Sequence, residues 1–273
     1  KIKKLKYIAL LLVTLIVASC EDVVDVKLDT APPKLVIDAS INWFKGTNGS
    51  VQKIKLSTTT GFYDTEIPAV SGAVVQIKNS ANTVFSFVET PNTGEYICSN
   101  FIPVIGETYE LTVITNGETY TAVEKMMGVP TIDHIEQKDD AGFSGDEIEV
   151  KFYFKDNANE ANNYMTIFET DIVVYPYYSV FDDEFFQGNE SYGSYTHQDL
   201  APGNEMKMAL YGISKDYLNY MNILLSASQD QYGPWSTTPT NVRGNFINHT
   251  DSKNFALGYF RLSEVDKRDY TIQ

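Results

Sequence analysis

The stretch that decides the fold is Thr108–Ala122, which reads TYELTVITNGETYTA. Every second residue on either side of Asn116-Gly117 is apolar or aromatic: Tyr109, Leu111, Val113, Tyr120 and Ala122. Period-2 alternation is the pattern of a half-buried β-strand. Asn-Gly between two such runs favours a two-residue type I′ turn, because both residues accept a positive φ. The segment therefore predicts a β-hairpin.

The same alternation recurs towards the N-terminus, in short runs separated by turn residues. The alternating apolar positions are Leu35, Ile37, Ala39 and Ile41, then Ile54 and Leu56, Val75 and Ile77, Phe85 and Phe87, and Tyr96 and Cys98. Helical periodicity is absent from this part of the sequence. Seven strands within residues 34–128 predict an immunoglobulin-like β-sandwich.

A change of pattern at Gly128-Val129-Pro130 marks the predicted boundary to a second domain, residues 129–273. Longer alternating runs predict strands there, at Ile148–Phe154, Tyr164–Thr170, Met206–Leu210 and Phe255–Leu262. The predicted fold class is therefore mainly β, with an N-terminal immunoglobulin-like β-sandwich followed by a second β-rich, sandwich-like domain.

One short helix is predicted in this second domain, from Ser214 to Gln229. Ser214 can cap its N-terminus, and Asp216 lies in its first turn. Leu218, Met221 and Leu225 follow at helical spacing and form an apolar face.

Composition narrows the classes of function. The chain has 273 residues, a formal net charge of −15 and 43% hydrophobic residues. This acidic balance argues against binding to nucleic acid or anionic lipid, since both require a basic face. Two cysteines cannot build a disulfide scaffold or a zinc cluster. Cys98 lies in a strand pattern and is predicted to be a small buried hydrophobe.

The N-terminus predicts a lipoprotein signal peptide over residues 1–19. A basic start precedes the apolar run Ile8–Val17, which is too short to span a membrane. Val17-Ala18-Ser19-Cys20 then resembles the bacterial lipobox, which implies cleavage before Cys20 and covalent lipid on its thiol. This lipid is the only covalent group predicted, and no other cofactor is expected. An ordinary secretory signal with an incidental cysteine is the alternative.

Residues 20–33 are predicted to be the lipidated cysteine and an acidic tether. Glu21, Asp22 and Asp25 follow the cysteine and partly resemble the surface-export signal of Bacteroidota lipoproteins. A merely solvated linker is the alternative. The predicted location is the outer membrane at the cell surface, with the periplasmic face as the other possibility.

Short pieces spread along nearly the whole chain carry a family resemblance. They follow one another in a consistent order: Leu35–Ala39, Val70–Val75, Gly94–Tyr96, Gly106–Val113, Asn116–Ala122, Asp156, Asn163-Tyr164, Asp182–Gly188, Asn241–Asn245 and Leu257–Phe260. With the lipobox, these pieces resemble the domain of unknown function 4249 family of Bacteroidota outer-membrane lipoproteins. The resemblance implies a companion of TonB-dependent outer-membrane transporters, and it implies no reaction.

The best candidate for binding is the aromatic segment Tyr175–Tyr195. It contains the predicted ligand- or partner-binding residues Tyr175, Tyr177, Tyr178, Phe181, Tyr192 and Tyr195, together with Phe185 and Phe186. Aromatic rings beside Asp, Asn and Glu suit stacking on sugars or gripping an extended peptide. Trp235, in a loop rich in Pro and Thr, is a smaller candidate. The alternative is that these rings belong to the core or cap it.

No catalytic constellation is visible in the sequence. The three histidines, His134, His197 and His249, lack the spacing of metal ligands. The acidic clusters Asp139-Asp140 and Asp182–Glu184 lack the pattern of a calcium loop and are expected to be turns. The sequence therefore predicts a protein that is not an enzyme and holds no metal.

Three functions remain to be weighed. The leading hypothesis is a lipid-anchored accessory or ligand-capturing subunit of a TonB-dependent transporter. The second is a stand-alone surface adhesin that binds glycan or peptide. The third is a surface hydrolase, which needs two carboxyl groups about 5–10 Å apart in one cleft.

Overall fold

The computed structural model describes residues 32–61, 63–142, 145–229 and 242–273. The predicted signal peptide, Cys20, most of the predicted tether and Trp235 lie outside the described residues. Within them, the chain forms fifteen strands and one helix. These are β1 (Leu35–Phe44), β2 (Gln52–Thr58), β3 (Val74–Asn79), β4 (Val84–Thr90), β5 (Glu95–Cys98), β6 (Thr108–Thr115), β7 (Glu118–Met127), β8 (Ile132–Ala141), β9 (Glu147–Lys155), β10 (Asn163–Thr170), β11 (Tyr177–Asp182), β12 (Glu190–His197), β13 (Glu205–Gly212), α1 (Lys215–Gln229), β14 (Ile247–Asn248) and β15 (Leu257–Thr271).

Eight of the strands close into a ring. They follow the order β15-β1-β2-β5-β4-β3-β6-β7, and β7 pairs with β15 to complete the circle. The pairings of β15 with β1 and β7 are parallel, and the others are antiparallel. The first core lies inside this ring, and its fully buried members include Ile37, Ile41, Ile54, Ile77, Leu111, Val113, Phe260 and Leu262.

The predicted hairpin at Asn116-Gly117 is confirmed. Thr115 pairs with Glu118 in the antiparallel register of β6 and β7. Asn116 has φ 50° and Gly117 has φ 77°, the positive values that a type I′ turn requires. Cys98 is buried as predicted, and its thiol donates to Asn100 Oδ1 at 3.1 Å.

The last strand, β15, differs from its prediction. The alternating pattern ended at Leu262, whereas the strand runs on to Thr271. Its second half pairs with β13 and is rich in charged residues, so it shows no apolar alternation. Asp266 is buried there because it accepts the Ile132 N–H at 2.7 Å and pairs with Arg268 at 2.6 Å. A buried ion pair of this kind leaves no hydrophobic signal in the sequence.

A three-stranded sheet, ordered β12-β9-β8, encloses the second core together with β10 and β13. The largest side chains of this core come from different strands and include Phe152, Phe154, Tyr164, Phe168 and Met208. The alternating patterns predicted for β9, β10 and β13 are therefore confirmed as strands, each with one face in this core.

Helix α1 packs on a third cluster, built from other faces of β10, β13 and β15. The Ser214 hydroxyl accepts the Tyr217 N–H at 3.2 Å, so the predicted N-cap is confirmed. Leu218 and Met221 are buried in this cluster, as their spacing predicts. No helix among the described residues is long and apolar enough to cross a membrane.

Residues 33–60 and 64–273 form one compact unit. Strand β15 contributes to both large cores, through Phe260 and Leu262 in the first and Tyr270 beside the second. The fold is mainly β, as predicted. The domain boundary between residues 128 and 129 stays a prediction.

Candidate functional site

The aromatic segment predicted for binding folds as β11, a turn and β12. Strand β11 pairs with β10, and β12 pairs with β9, so the two strands belong to different sheets. Among the described residues, each of the two strands is the last strand of its sheet. The segment therefore crosses from one sheet to the other, and its rings point in several directions.

Part of the segment packs inward. Phe181 and Phe186 are half-buried and lie against the second core, with ring centroids 6.0 Å apart. Tyr178 packs instead against the cluster under α1, where burial raises the pKa of its phenol. The positions of these three residues therefore fit the alternative prediction, in which the rings belong to the core or cap it, better than a ligand-binding role.

Three of the other rings, those of Tyr175, Tyr177 and Tyr195, line a cleft of about 400 Å³, which we call the aromatic cleft. Its lining includes Tyr175, Pro176, Tyr177, Tyr195 and His197. Tyr175 is 83% exposed and Tyr177 is 44% exposed, whereas Tyr195 is 7% exposed. The cleft therefore has exposed aromatic walls and a buried aromatic base.

Tyr195 connects the aromatic cleft to the core. Its ring lies 5.7 Å from that of Phe168 in the second core and 5.7 Å from that of Tyr177 at the surface. The His197 ring is nearly parallel to it at 6.4 Å. Burial raises the pKa of the Tyr195 phenol, which therefore remains neutral near pH 7.

Tyr192 lies apart from the aromatic cleft, on the outer face of the three-stranded sheet. It pairs with Tyr153, which pairs in turn with His134 across β9 and β8. The His134 and Tyr153 rings stack at 4.5 Å, and the Lys151 ammonium lies 4.8 Å from the Tyr192 ring centre. The faces of these rings therefore contact neighbouring side chains, as is common for cross-strand pairs.

The acidic cluster Asp182–Glu184 organises the turn between β11 and β12. Asp183 is buried and accepts the Asn162 N–H at 2.7 Å. Lys215 lies 2.7 Å from Asp182 and holds the pKa of that carboxyl below its usual range. Within the described part of the chain, no group of three His, Cys, Asp or Glu side chains could hold a metal ion.

A buried tyrosine and a carboxylate fix the far end of this turn. The Tyr164 hydroxyl donates to Asp156, whose other oxygen accepts the Gly188 N–H at 2.7 Å. Asp156 is the first residue after β9, and Gly188 lies two residues before β12. This contact sets where β12 begins, and so where Tyr195 and His197 lie.

Two wall residues of the aromatic cleft were missed by sequence reasoning. The sequence patterns predict no ligand-binding role for His197 or Pro176. Only their position in the sequence could have identified them, since both lie within two residues of the aromatic candidates. Trp235 lies outside the described residues, so its predicted role stays a prediction.

A family model described as "Domain of unknown function (DUF4249)" matches residues 21–269. No curated protein matches the sequence. Among solved structures, a two-domain fibronectin type-III segment of chicken tenascin has 11% identity and a TM-score of 0.22, over 66% of this chain and 90% of that chain. A cytokine receptor complex has 7% identity and a TM-score of 0.24, over 66% and 83%. The FN1–FN3 domains of chicken CNTN1 have 14% identity and a TM-score of 0.21, over 67% and 60%.

Proposed function

The chain belongs to the DUF4249 family, and from this premise we propose that it is a non-enzymatic, lipid-anchored protein of the Bacteroidota outer membrane. In this role it captures a ligand at the cell surface beside a TonB-dependent transporter. The observation that carries the proposal is the aromatic cleft. The lipobox at Cys20 and the acidic residues behind it support the location.

The aromatic cleft suits a ligand that offers a flat apolar face, such as a sugar ring or an aromatic side chain. Tyr175 and Tyr177 expose ring surface, while Tyr195 and His197 are held by neighbouring rings. Tyrosine combines a large apolar area with a hydroxyl that can donate or accept. Since part of the cleft is already rigid, little side-chain entropy is lost on binding.

Lipid on Cys20 would hold the protein at the membrane. Each buried acyl methylene contributes about 0.8 kcal/mol, so several chains on one cysteine anchor stably. The tether then leaves the folded unit, which begins at β1, free to meet a transporter at the same surface. We also propose that strands β1–β7 have an immunoglobulin-like arrangement.

Ligand capture can be tested with the full-length protein in mild detergent on glycan and peptide arrays. The double variant Tyr175→Ala/Tyr177→Ala should bind the best ligand about tenfold more weakly, because two stacking contacts are lost. Phe185→Ala is the matched control, since Phe185 is 93% exposed and lies outside the aromatic cleft. Equal binding by the double variant and the control would contradict this site.

The partner can be tested by gentle extraction from native membranes through a C-terminal tag, followed by mass spectrometry. A TonB-dependent transporter in stoichiometric amount is the expected result. The Cys20→Ala variant should leave the membrane fraction and lose this partner. Wild-type protein that purifies without any transporter would contradict the accessory role.

A stand-alone glycan- or peptide-binding adhesin is the second candidate. It is favoured by one observation: Tyr175 and Tyr177, which line the aromatic cleft, expose their rings to solvent. Ligand binding with full affinity in a strain that lacks the co-purified transporter would favour the adhesin. Binding that requires the transporter would favour the accessory subunit.

A further inference from the structure

A second cleft lies on the ring, along β1 and β2 and the loop that joins them. It encloses about 500 Å³, within the range of small-ligand sites. We call it the polar cleft, because its lining is dominated by hydroxyl, amide and charged side chains. Those that matter here are Asp38, Ser40, Asn42, Phe44, Lys53 and Lys55. None of them belongs to the aromatic cleft.

Asn42 is held in one orientation by a buried arginine. Arg261 is 4% exposed and its Nη2 donates to Asn42 Oδ1 at 2.9 Å. A guanidinium can only donate, so the amide oxygen must face it. The Asn42 Nδ2 group then faces away and is free to donate to another molecule.

The Asn42 backbone is fixed as firmly as its side chain. Gln52 accepts the Asn42 N–H at 3.1 Å and donates to the Asn42 carbonyl at 2.9 Å. Arg261 is itself held between two tyrosine rings, 5.1 Å from Tyr211 and 5.3 Å from Tyr217. An amide fixed in this way keeps its donor direction before a ligand arrives.

A hydrogen-bond acceptor, Asp38, lies on the same face of β1 four residues before Asn42. Ser40 Oγ donates to Asp38 Oδ1 at 3.1 Å, which leaves the second carboxylate oxygen as an acceptor. Lys55 lies directly across from Asp38 in the β1–β2 register. The polar cleft thus offers donors and an acceptor at separate points along one face of β1, where they can bind different hydroxyl groups.

The charges in and beside the polar cleft sum to zero, since Asp38 and the neighbouring Glu95 balance Lys53 and Lys55. Lys53 pairs with Glu95 at 2.9 Å, and Lys55 faces Asp38. A neutral ligand is therefore favoured over an anion or a cation. Phe44 adds apolar surface to the lining, and the Lys267 ammonium lies 5.2 Å from the centre of its ring.

We infer that the polar cleft is a binding site for a neutral saccharide, with Asn42 and Asp38 holding its hydroxyl groups. The site is separate from the aromatic cleft, and the inference does not depend on the proposed function. A binding site built to hydrogen-bond hydroxyls loses much of its affinity when one partner is removed.

The sharpest test is Asn42→Asp. The carboxylate keeps an oxygen for Arg261, so the contact that holds the side chain survives. The donor towards the cleft is lost, and binding should weaken about tenfold or more. Asn222→Asp is the matched control, because Asn222 is exposed on α1 and lies outside the cleft. Urea unfolding of both variants confirms that they remain folded.

The probes are neutral oligosaccharides from disaccharide to hexasaccharide, printed beside sialylated and sulfated glycans and tested with the full chain. The expected result is binding of a neutral probe that Asn42→Asp weakens and Asn222→Asp does not. Failure of every neutral probe would overturn the inference, as would preference for the acidic probes. Binding lost in Tyr175→Ala/Tyr177→Ala but kept in Asn42→Asp would also overturn it, while supporting the proposed function.

Discussion

The ring and the second core differ in how their strands and connecting segments are held together. Most neighbours in the ring are antiparallel strands close in sequence, and apolar side chains fill its interior. The second core lies between strands of two different sheets, and buried carboxylates lie at its margins. Asp156, Asp183 and Asp266 each accept a backbone N–H from a distant segment. Carboxylates thus hold distant segments together at the margins of the second core.

The difference shows that one acidic protein uses its carboxylates for two purposes. Most of them are exposed and keep the surface negative. The three buried ones satisfy backbone donors that would otherwise be left without a partner, which is costly in a core. The hydrogen bonds of these buried carboxylates therefore determine where the loops around the aromatic cleft lie.

The largest effect on stability is expected from Phe260→Ala, in the strand that contributes to both cores. Removing a fully buried phenylalanine should lower the free energy of unfolding by about 3–5 kcal/mol. Because β15 pairs with β1 and with β13, both cores should lose protection together. Hydrogen exchange with mass spectrometry in increasing urea can follow peptides from each core. Second-core peptides that stay protected after the ring has opened would instead indicate two independent domains.

The next effect concerns the carboxylate that holds the turn before β12. Asp156→Ala removes the acceptor of the Tyr164 hydroxyl and of the Gly188 N–H. Each orphaned donor should cost about 1–3 kcal/mol, measured by urea unfolding. Asp156→Asn keeps one acceptor oxygen and should cost less. Equal losses in both variants would show that charge, and not hydrogen bonding, stabilises this turn.

A smaller, pH-dependent effect is expected at Glu124, where the ring meets α1. Its carboxylate accepts the Ser214 hydroxyl at 2.9 Å, and burial raises its pKa above the usual value. An acid with a raised folded-state pKa destabilises the fold when ionised, and protonation relieves that cost. Wild type should therefore gain stability relative to Glu124→Gln as pH falls through this raised pKa. Urea midpoints measured across pH would show a constant difference if burial has no such effect.

The smallest effect is expected at Phe185, in the turn between β11 and β12. Phe185 is 93% exposed, so Phe185→Ala should change stability by less than about 0.5 kcal/mol. Its neighbour Phe186 packs on Phe181 and Tyr164, and Phe186→Ala should cost clearly more. Thermal unfolding of the pair measures how much of the aromatic segment serves the core.

The two clefts differ in how well sequence reasoning could find them. The aromatic segment was identified because its rings are clustered in sequence. Its division into inward, cleft-lining and outward rings was not predictable, since β11 and β12 belong to different sheets. The polar cleft left no local signal. Asn42 gains its significance from Arg261, more than two hundred residues away along the chain.

What the sequence determined by itself was local. Alternation and the Asn116-Gly117 turn specified the ring's hairpins, and Ser214 with its apolar spacing specified α1, because these depend on hydrogen bonds and burial between close neighbours. The tertiary structure alone decided that β15 completes the ring and extends to the second core. Its charged half is held by pairing with β13 and by the contacts of Asp266 and Arg268 with Ile132, residues that meet solely in the folded chain.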